Sequence, residues 1–367
     1  TNLNMPSPDG VISPDAACQA FIDEGIIQLE YVLPYRSSSP AMQDQQSPML
    51  VYLLDHPSQG VIDAFSGKPV IPANDDWLGG GGGAERLSMN SKSMAMDQAA
   101  QPLTPQEQDE IMQTANLLSQ EEAAGIIAEW VDIADNLSLR SANLEQDWRD
   151  PQLRVWNLNW SSSQSLNSKQ FSNLYGRVNA RTGELIGFNL DLPSSDSTAA
   201  TMTQEAARAL ADSFLKKVQE RHYSQLKFDQ ASSDRNNRRF ISSGTNQPSW
   251  YFNYLRTVNG ISFPGNGANI VVDRASQKIS SYSLNWIDKE FPSAQGVLGM
   301  DQANDLYLQA APLTLGYSTL HRGGSALSEM HLIYQPQTQP DQANFSMIDA
   351  HSGDKLDGQG TPLGENE

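Results

Sequence analysis

The residue types that most often hold metals or move protons are spread along this chain without a recognisable spacing. The five histidines are His56, His222, His321, His331 and His351. No HExxH pair occurs, His321 and His331 are too far apart in sequence to share one helical face, and the single cysteine, Cys18, is remote from both. We therefore predict loop or solvent-exposed histidines, no bound metal and no cofactor.

The sequence also lacks the usual nucleophile and phosphate-binding motifs. Ser325 follows two glycines but is not followed by the glycine that a GxSxG turn requires. Gly79–Gly83 is not continued by Lys-Ser/Thr, as a phosphate-binding loop would be, and adjacent carboxylates such as Glu121 and Glu122 face different directions on a helix. These patterns predict a protein without catalytic residues that is not an enzyme. The alternative is a hydrolase of wall polymers whose carboxylates match no motif.

Size and charge limit the partners. The chain of 367 residues, 38% of them hydrophobic, is long enough for several modules. Its net charge of −19, from 24 basic and 43 acidic residues, disfavours binding to nucleic acid or to anionic lipid. No apolar run reaches the roughly 20 residues that cross a bilayer. We expect any export signal or anchor to lie outside this chain.

A six-residue pattern recurs at four points and predicts a hairpin turn each time. It consists of Asp or Asn, two residues, Ser or Thr, Gly or Gln, and a charged residue. The first side chain accepts backbone N–H groups inside the turn, and glycine supplies the positive φ that closes it. The positions that define the turns are Asp63, Gly67, Asn179, Gly183, Asp273, Gln277, Asp349 and Gly353. Since Gln277 stands where the others have glycine, we expect strain or a different turn there.

A helix and three strands accompany each predicted turn. Ser119 and Glu122 form a capping box, and Thr203 is a further helix cap. Apolar residues alternate with others in Trp156–Trp160 and in Trp250–Tyr254, which is typical of half-buried antiparallel strands. These tryptophans suggest a sugar-binding platform, but their place on the apolar face favours packing in the core.

The order of elements therefore predicts an α+β protein built from tandem repeats, each a small curled antiparallel sheet over one helix. The predicted units span 11–73, 104–193, 201–288 and 296–358. Residues 74–103, which include the glycine run, are predicted to be a flexible linker, because their composition buries little apolar surface. Residues 359–367 are predicted to be a frayed tail.

The second and third units resemble the YcdB/YcdC repeated domain of Bacillus-type bacteria, which is related to PepSY and metallopeptidase propeptide domains. The residues that carry the resemblance are Trp156-Asn-Leu-Asn-Trp160, the hairpin Asn179–Glu184, Trp250–Arg256, Val258–Phe263, Ile270–Asp273 and Tyr282–Trp286. The resemblance implies a PepSY-like fold and an extracellular or cell-envelope location, as in Gram-positive bacteria. It also implies a non-enzymatic binding or regulatory protein of the kind that restrains a peptidase. A structural spacer of a surface protein is a further alternative.

One segment is the best candidate for contact with a protein or peptide partner, such as a peptidase or a cell-wall component. Arg256 extends the Trp250–Tyr254 series, Asn259-Gly260 predicts a turn, and Pro264 interrupts pairing after Ile261 and Phe263. Because units with few strands leave edges unpaired, we expect a partner to add a strand here, contacting Arg256, Asn259, Ile261 and Phe263. The alternative is an ordinary hairpin whose arginine pairs with an acid of its own unit.

Overall fold

The computed structural model describes residues 5–34, 47–71, 76–78, 117–147, 153–162, 172–191, 202–242, 248–322 and 325–364. The α-helices are α1 Pro14–Asp23, α2 Gln120–Trp130, α3 Gln204–Val218, α4 Gln230–Ser242 and α5 Met300–Ala310. The strands of the first half are β1 Ile27–Val32, β2 Met49–Leu54, β3 Ile62–Asp63, β4 Asp76–Leu78, β5 Leu137–Gln146, β6 Arg154–Ser162, β7 Asn173–Asn179 and β8 Leu185–Asp191. The second half contains β9 Leu226–Asp229, β10 Ser249–Val258, β11 Ile261–Asp273, β12 Lys278–Asn285, β13 Leu313–Arg322, β14 Ser325–Pro336, β15 Phe345–Asp349 and β16 Lys355–Asp357.

Local sequence signals explain where most helices begin. The side chains of Ser13, Ser119 and Thr203 each accept a hydrogen bond from the backbone N–H three residues on, at 3.2 Å. Ser119 completes its capping box, since Glu122 accepts the backbone N–H of Ser119 at 2.7 Å. Helix α5 begins after Gly299, which has no capping side chain. The predicted α+β class is confirmed.

The two central units each contain four strands rather than the predicted three. In the second unit the strand order is β8-β7-β6-β5, so the chain runs antiparallel from one edge to the other. The third unit repeats this order with β12-β11-β10-β9. The additional strand is the short or polar first one, β5 or β9, whose sequence carries little apolar alternation.

The first and last units exchange strands with each other. β15 of the last unit pairs with β2, giving the order β16-β15-β2-β1, and β3 of the first unit pairs with β14. Each helix packs against the layer that contains its own unit's hairpin turn. Helix α1 lies against β3 and β13, and α5 lies against β15. Each of these two layers therefore combines the helix and turn of one unit with the first two strands of the other.

The expectation of four separate antiparallel sheets is wrong, because the units share their edges. Twelve strands form one sheet, and β3, β14, β13 and β4 form a second. The fourth strands of the central units, β8 and β12, pair antiparallel through Ser281–Ser283. One pairing is parallel and joins β1 to β11 at Glu30 and Ser262.

Two large apolar cores lie beneath these layers. The first is shared by the two central units and contains Ile127 of α2, Leu215 of α3 and Tyr282 of β12. The second is shared by the exchanged units, where Phe21 of α1 stacks on Tyr307 of α5 with ring centroids 6.1 Å apart. The apolar faces of the helices thus bind neighbouring units together.

In each central unit, an aromatic side chain of the second strand donates a hydrogen bond to the backbone near the start of the unit's helix. The indole N–H groups of Trp156 and Trp250 donate to the carbonyls of Leu118 and Met202, at 2.8 and 3.0 Å. Each acceptor is the residue just before a helix cap. These tryptophans pack in and around the core, as the sequence predicts.

The exchanged layers carry the same kind of hydrogen bond across the two terminal units. The Tyr334 hydroxyl donates to the carbonyl of Ile12 at 2.8 Å, and the Tyr52 hydroxyl donates to that of Leu298. The acceptors again stand just before the cap residues of α1 and α5, which are Ser13 and Gly299. The exchanged layers therefore keep the hydrogen bond that the central units have between the second strand and the helix start.

Two boundary regions differ from expectation. Residues 76–78 lie inside the predicted linker, yet they form β4 and pair with β13. The rest of that segment lies outside the described residues. Part of the predicted tail, residues 359–364, returns along β16, where Leu363 donates its N–H to the carbonyl of Lys355 at 2.8 Å.

Candidate functional site

The four hexapeptides close hairpin turns and play a structural part. The side chains of Asp63, Asn179, Asp273 and Asp349 each accept a backbone N–H three residues on. Glycine has positive φ at three of these turns, from 69° to 80°. Gln277 adopts the same left-handed conformation with φ 57°, which a side chain with a Cβ disfavours.

Two of the four residues predicted to contact a partner are buried. Arg256 is 5% exposed and Phe263 is 1% exposed, while Asn259 and Gly260 form the expected turn with φ of 52° and 82°. Ile261–Phe263 pairs with β10 on one side, and Ser262 pairs with Glu30 of β1 on the other. The prediction of an unpaired strand edge at this point is therefore wrong, since β1 of the same chain pairs there.

A break in the hydrogen-bond ladder lies next to Arg256. Leu255 pairs with Gly267 and Arg256 pairs with Phe263, so Pro264–Asn266 bulges out of β11. Gly267 returns to the sheet with φ of 146°, where an added Cβ would lie 2.0 Å from the carbonyl oxygen of Tyr254. The bulge turns Asn266 inward, and its Oδ1 accepts the N–H of Ile287 at 2.8 Å.

Neutral groups and aromatic rings surround the Arg256 guanidinium. Its Nε donates to Gln225 Oε1 at 3.1 Å, and Nη1 donates to Asn266 Oδ1 at 3.3 Å and to the Ile287 carbonyl at 2.8 Å. The guanidinium carbon lies 3.8 Å from the ring centroid of Trp286 and 4.8 Å from that of Phe291. We call Arg256, Gln225, Asn266, Trp286 and Phe291 the Arg256 cluster.

The positive charge of the Arg256 cluster is not neutralised by a directly paired carboxylate among the described residues. No carboxylate of the described residues forms an ion pair with Arg256. Asp288 is the acid whose field acts on it, and that carboxylate is exposed and pairs with Arg221 at 3.5 Å. Burial lowers the pKa of the Arg256 guanidinium, and Asp288 opposes this shift. Two neighbouring donors, Asn266 Nδ2 and Trp286 Nε1, are buried without a hydrogen-bond partner.

The same tryptophan contacts a histidine that sequence reasoning placed in solvent. His222 is only 4% exposed, and its ring centroid lies 4.0 Å from that of Trp286. His222 Nε2 lies 3.2 Å from Glu184 Oε1, a residue of the second unit's turn. The prediction of solvent exposure is therefore wrong for His222, which lies in a turn but packs between the two central units. Among the described residues, no three His, Cys, Asp or Glu side chains are grouped closely enough to hold a metal ion.

The outer edge of the twelve-stranded sheet is the second candidate site. β5 pairs with β6 from Leu137 to Gln146, and no other described strand pairs with it. Its side chains from Asn143 onward are exposed, including Leu144, which is 39% exposed. Such an edge offers backbone N–H and C=O groups to another extended chain.

One buried acid had no sequence signal. Glu30 of β1 is 6% exposed and lies beside Asp55. Burial, with the charge of Asp55 and a hydrogen bond to it, raises the pKa of Glu30 to about 8. Only the apolar character of the residues around Glu30 in sequence could have indicated its burial.

The part of the chain that resembles a known protein family coincides with the two central units. None of the described helices is long and apolar enough to cross a membrane. No curated protein matches the chain. The Bacillus megaterium YpeB C-terminal domain is a similar solved structure, at 11% identity and a TM-score of 0.37, covering 65% of this chain and 96% of that one. The family model of the YcdB, YcdC repeated domain matches residues 120–286, from the start of α2 to just beyond β12. Residues 120–286, which form the two central units, are thus similar to the YcdB, YcdC repeated domain.

Proposed function

We propose that this protein is a non-enzymatic binding module that takes up an extended polypeptide along the outer edge of β5. The observation that carries the proposal is the sheet topology: β5 ends the twelve-stranded sheet, and it pairs only with β6 within the described part of the chain. A partner strand would extend the sheet through main-chain hydrogen bonds.

The third unit shows how the equivalent edge is blocked. There β9 has only four residues, and α4 follows it directly and lies beside β10. Asn237 of α4 accepts the N–H of Tyr251 at 2.9 Å and donates to its carbonyl at 3.0 Å, while Ser233 accepts the N–H of Asn253 at 2.9 Å. These side chains occupy backbone groups that a further strand would use. In the second unit β5 is ten residues long.

The remaining edges offer less room. β16 has three residues and carries the chain that returns through Pro362. β1 is occupied by β11, and β13 is covered by β4 at Leu320–Arg322. β5 is therefore the longest edge in the described ranges.

The charge of the chain indicates what kind of polypeptide would bind. A net charge of −19 favours a partner segment rich in Lys or Arg and accelerates its approach. On β5 itself, exposed Leu144 lies opposite Trp156 of β6 and gives one apolar contact on an otherwise polar strand. Affinity would come chiefly from the backbone, with Leu144 contributing to specificity.

Proline substitution at two adjacent positions tests the proposal. In an antiparallel edge strand, successive N–H groups alternate between the neighbouring strand and solvent. Of Asn143→Pro and Leu144→Pro, one variant loses a bond to β6 and is destabilised, whereas the other loses a solvent-facing donor and keeps its thermal midpoint. Peptides of about 12 residues are first selected from a random display library on the parent protein, and binding is then measured by titration.

We expect the thermally unaffected variant to bind the selected peptides at least tenfold more weakly, and bound peptide to slow hydrogen exchange of the β5 amides. Equal binding by this variant, or protection confined to other strands, would refute the edge as the binding site. A selected peptide that the protein cleaves during the titration would favour the hydrolase alternative.

The location and regulatory part of the proposal rest on the similarity of residues 120–286 to the YcdB, YcdC repeated domain. We propose an extracellular or cell-envelope protein whose polypeptide partner is a peptidase or a wall-associated protein held in check by strand addition. Fractionation of producing cells with an antibody against this chain tests the location. Recovery in the cytosolic fraction alone would contradict it.

A further inference from the structure

We propose that the Arg256 cluster is a binding site for a single carboxylate group, independent of the β5 edge. The site lies where the third unit meets the exchanged layers. Asn259 donates to the Tyr31 hydroxyl at 3.1 Å, and Tyr31 in turn donates to the Pro292 carbonyl at 2.7 Å. Ligand binding here would act on the contact between repeat units.

The donors of the site exceed its acceptors. The hydrogen bonds of Arg256 use Nε and Nη1, and Nη2 has no partner among the described residues. Asn266 Nδ2 and Trp286 Nε1 add two further N–H donors, both buried and unpaired. Asn266 is 2% exposed and is fixed by the two hydrogen bonds that its oxygen accepts, so its amide nitrogen cannot turn away without breaking them.

A buried cation without an ion-pair partner is unusual in a folded protein. Transferring a charge out of water costs several kcal/mol unless an opposite charge compensates it. The rings of Trp286 and Phe291 supply part of the compensation through cation–π contact. An anion that accepts from Nη2 and the two unpaired donors would supply the rest.

The charge balance selects a carboxylate over a phosphate. The cluster contains one cation, and the field of Asp288 already acts on it. Asp288 and the surrounding charge of −19 would repel a dianion more strongly than a monoanion. A planar carboxylate also matches the fork of a guanidinium, on which it can accept two hydrogen bonds.

The cover of the site consists of chain without regular structure. Residues 286–293 form neither helix nor strand, and they provide Trp286, the Ile287 carbonyl and Phe291. A ligand would enter by displacing part of this segment, since the two unpaired donors are buried. The carboxylate could be a free organic acid, or the terminus or an acidic side chain of a polypeptide.

Titration with sodium acetate tests the proposal directly. The indole N–H signal of Trp286 is followed by nitrogen-edited NMR, assigned by its loss in Trp286→Phe, with sodium chloride at matched ionic strength as reference. We expect a saturable shift of the signal and a rise in thermal midpoint that sodium chloride does not reproduce. No saturation, or the same response to chloride, would show that the donors are met by water only and would overturn the proposal.

Three variants make the result specific. Arg256→Gln should weaken acetate binding at least tenfold. Asn266→Asp keeps the acceptors used by Arg256 and Ile287, replaces the unpaired nitrogen with a carboxylate oxygen, and should abolish the acetate response while raising the thermal midpoint. Arg208→Gln is the matched control, because Arg208 also stacks on a ring, that of Phe228, but already pairs with Asp212 at 3.1 Å. Unchanged acetate binding by Asn266→Asp would overturn the assignment even if Arg256→Gln does not fold.

Peptide probes distinguish the sources of the carboxylate. The probes are Ala-Ala-Ala with a free C-terminus, the same peptide amidated, and a doubly blocked peptide with an internal Glu. Tighter binding of one acid-bearing peptide than of acetate assigns the site to a polypeptide carboxylate, and binding of acetate alone assigns it to a small organic acid. Binding of the amidated peptide as tightly as the free acid would contradict carboxylate recognition. Because this readout does not involve β5, the proline variant that keeps its thermal midpoint should bind acetate as the parent does.

Discussion

The backbone N–H of Ala64 donates to the carbonyl oxygen of Leu332 at 3.0 Å, although the two residues belong to the first and last repeat units. The equivalent bond in the second unit, from Ala180 to Arg154, lies within one unit at 2.8 Å. A reciprocal bond joins Ala350 to Leu50 at 2.9 Å. The two ends of the chain therefore complete each other's sheets.

Shared layers predict shared unfolding of the terminal units. Phe21 is fully buried and stacks on Tyr307, so Phe21→Ala should destabilise the protein by about 3–5 kcal/mol. Because the stacked helices belong to different units, we expect hydrogen exchange to accelerate in residues 300–357 as well as in 14–70. The measurement is native-state hydrogen exchange with peptide-level resolution.

The control for this prediction lies in the second unit. Ile127 is also fully buried but packs in the core shared by the central units. Ile127→Ala should accelerate exchange in residues 120–191 and leave 300–357 largely protected. If Phe21→Ala affected only residues 14–70, the exchanged layers would not be a cooperative unit.

The turn at Gln277 stores backbone strain that can be removed. Gln277 has φ of 57° in a position where the matching turns have glycine, and a residue with a Cβ pays about 1–2 kcal/mol for this conformation. Gln277→Gly should therefore stabilise the protein by about 0.5–1 kcal/mol, after the entropy cost of glycine is subtracted. Chemical denaturation measures the change.

The reverse substitution serves as the comparison. Gly183 occupies the equivalent position with φ of 74°, so Gly183→Ala should destabilise the protein by about 1–2 kcal/mol. Opposite signs for the two variants would support conformational strain as the cause. A destabilised Gln277→Gly would show instead that the glutamine side chain contributes more than its backbone costs.

Local signals predict the turns and most helix starts because they depend on neighbouring residues. Asp63 and Ser119 act through hydrogen bonds to backbone groups only three residues away. The exchange of strands depends on long-range pairing, and nothing near Ile62 indicates that its partner is Tyr334 rather than a residue of its own unit. Polar helix α4 was likewise missed, since side-chain bonds such as that of Asn237 to Tyr251 fix it against β10.

The burial of Arg256 could have been predicted from the same alternation that identified its strand. Positions 250, 252, 254 and 256 share one face, and Phe252 and Tyr254 are buried on it. The glycines around Asn266 were also visible and are typical of a bulge. The missing carboxylate partner was not predictable, because the position of Asp288 relative to Arg256 depends on the folded chain.

The hydrogen bond between the Tyr334 hydroxyl and the Ile12 carbonyl predicts a small loss of stability when the hydroxyl is removed. Tyr334→Phe removes the hydroxyl that donates to the Ile12 carbonyl and should destabilise the protein by about 1–2 kcal/mol. Tyr317→Phe is the control, since Tyr317 is 40% exposed and its bond to the Pro6 carbonyl competes with water. Thermal denaturation compares the two, and equal losses would mean that the buried bond contributes no more than the exposed one.

Glu30 predicts a decline in stability with rising pH. Its pKa in the folded protein is raised from the ordinary value of 4.5 to about 8, so the folded state binds the proton more tightly than the unfolded state. The contribution of Glu30 is therefore most favourable below pH 4.5, falls as the pH rises toward 8, and is constant above that. Glu30→Gln stays neutral throughout, so its free energy of unfolding relative to the parent should increase from pH 5 to pH 8 and then level off. Glu121→Gln, at an exposed position, should show no such trend. Denaturant titrations at intervals of half a pH unit measure both differences, and parallel pH profiles for the parent and Glu30→Gln would mean that Glu30 is ionised in the folded protein at neutral pH.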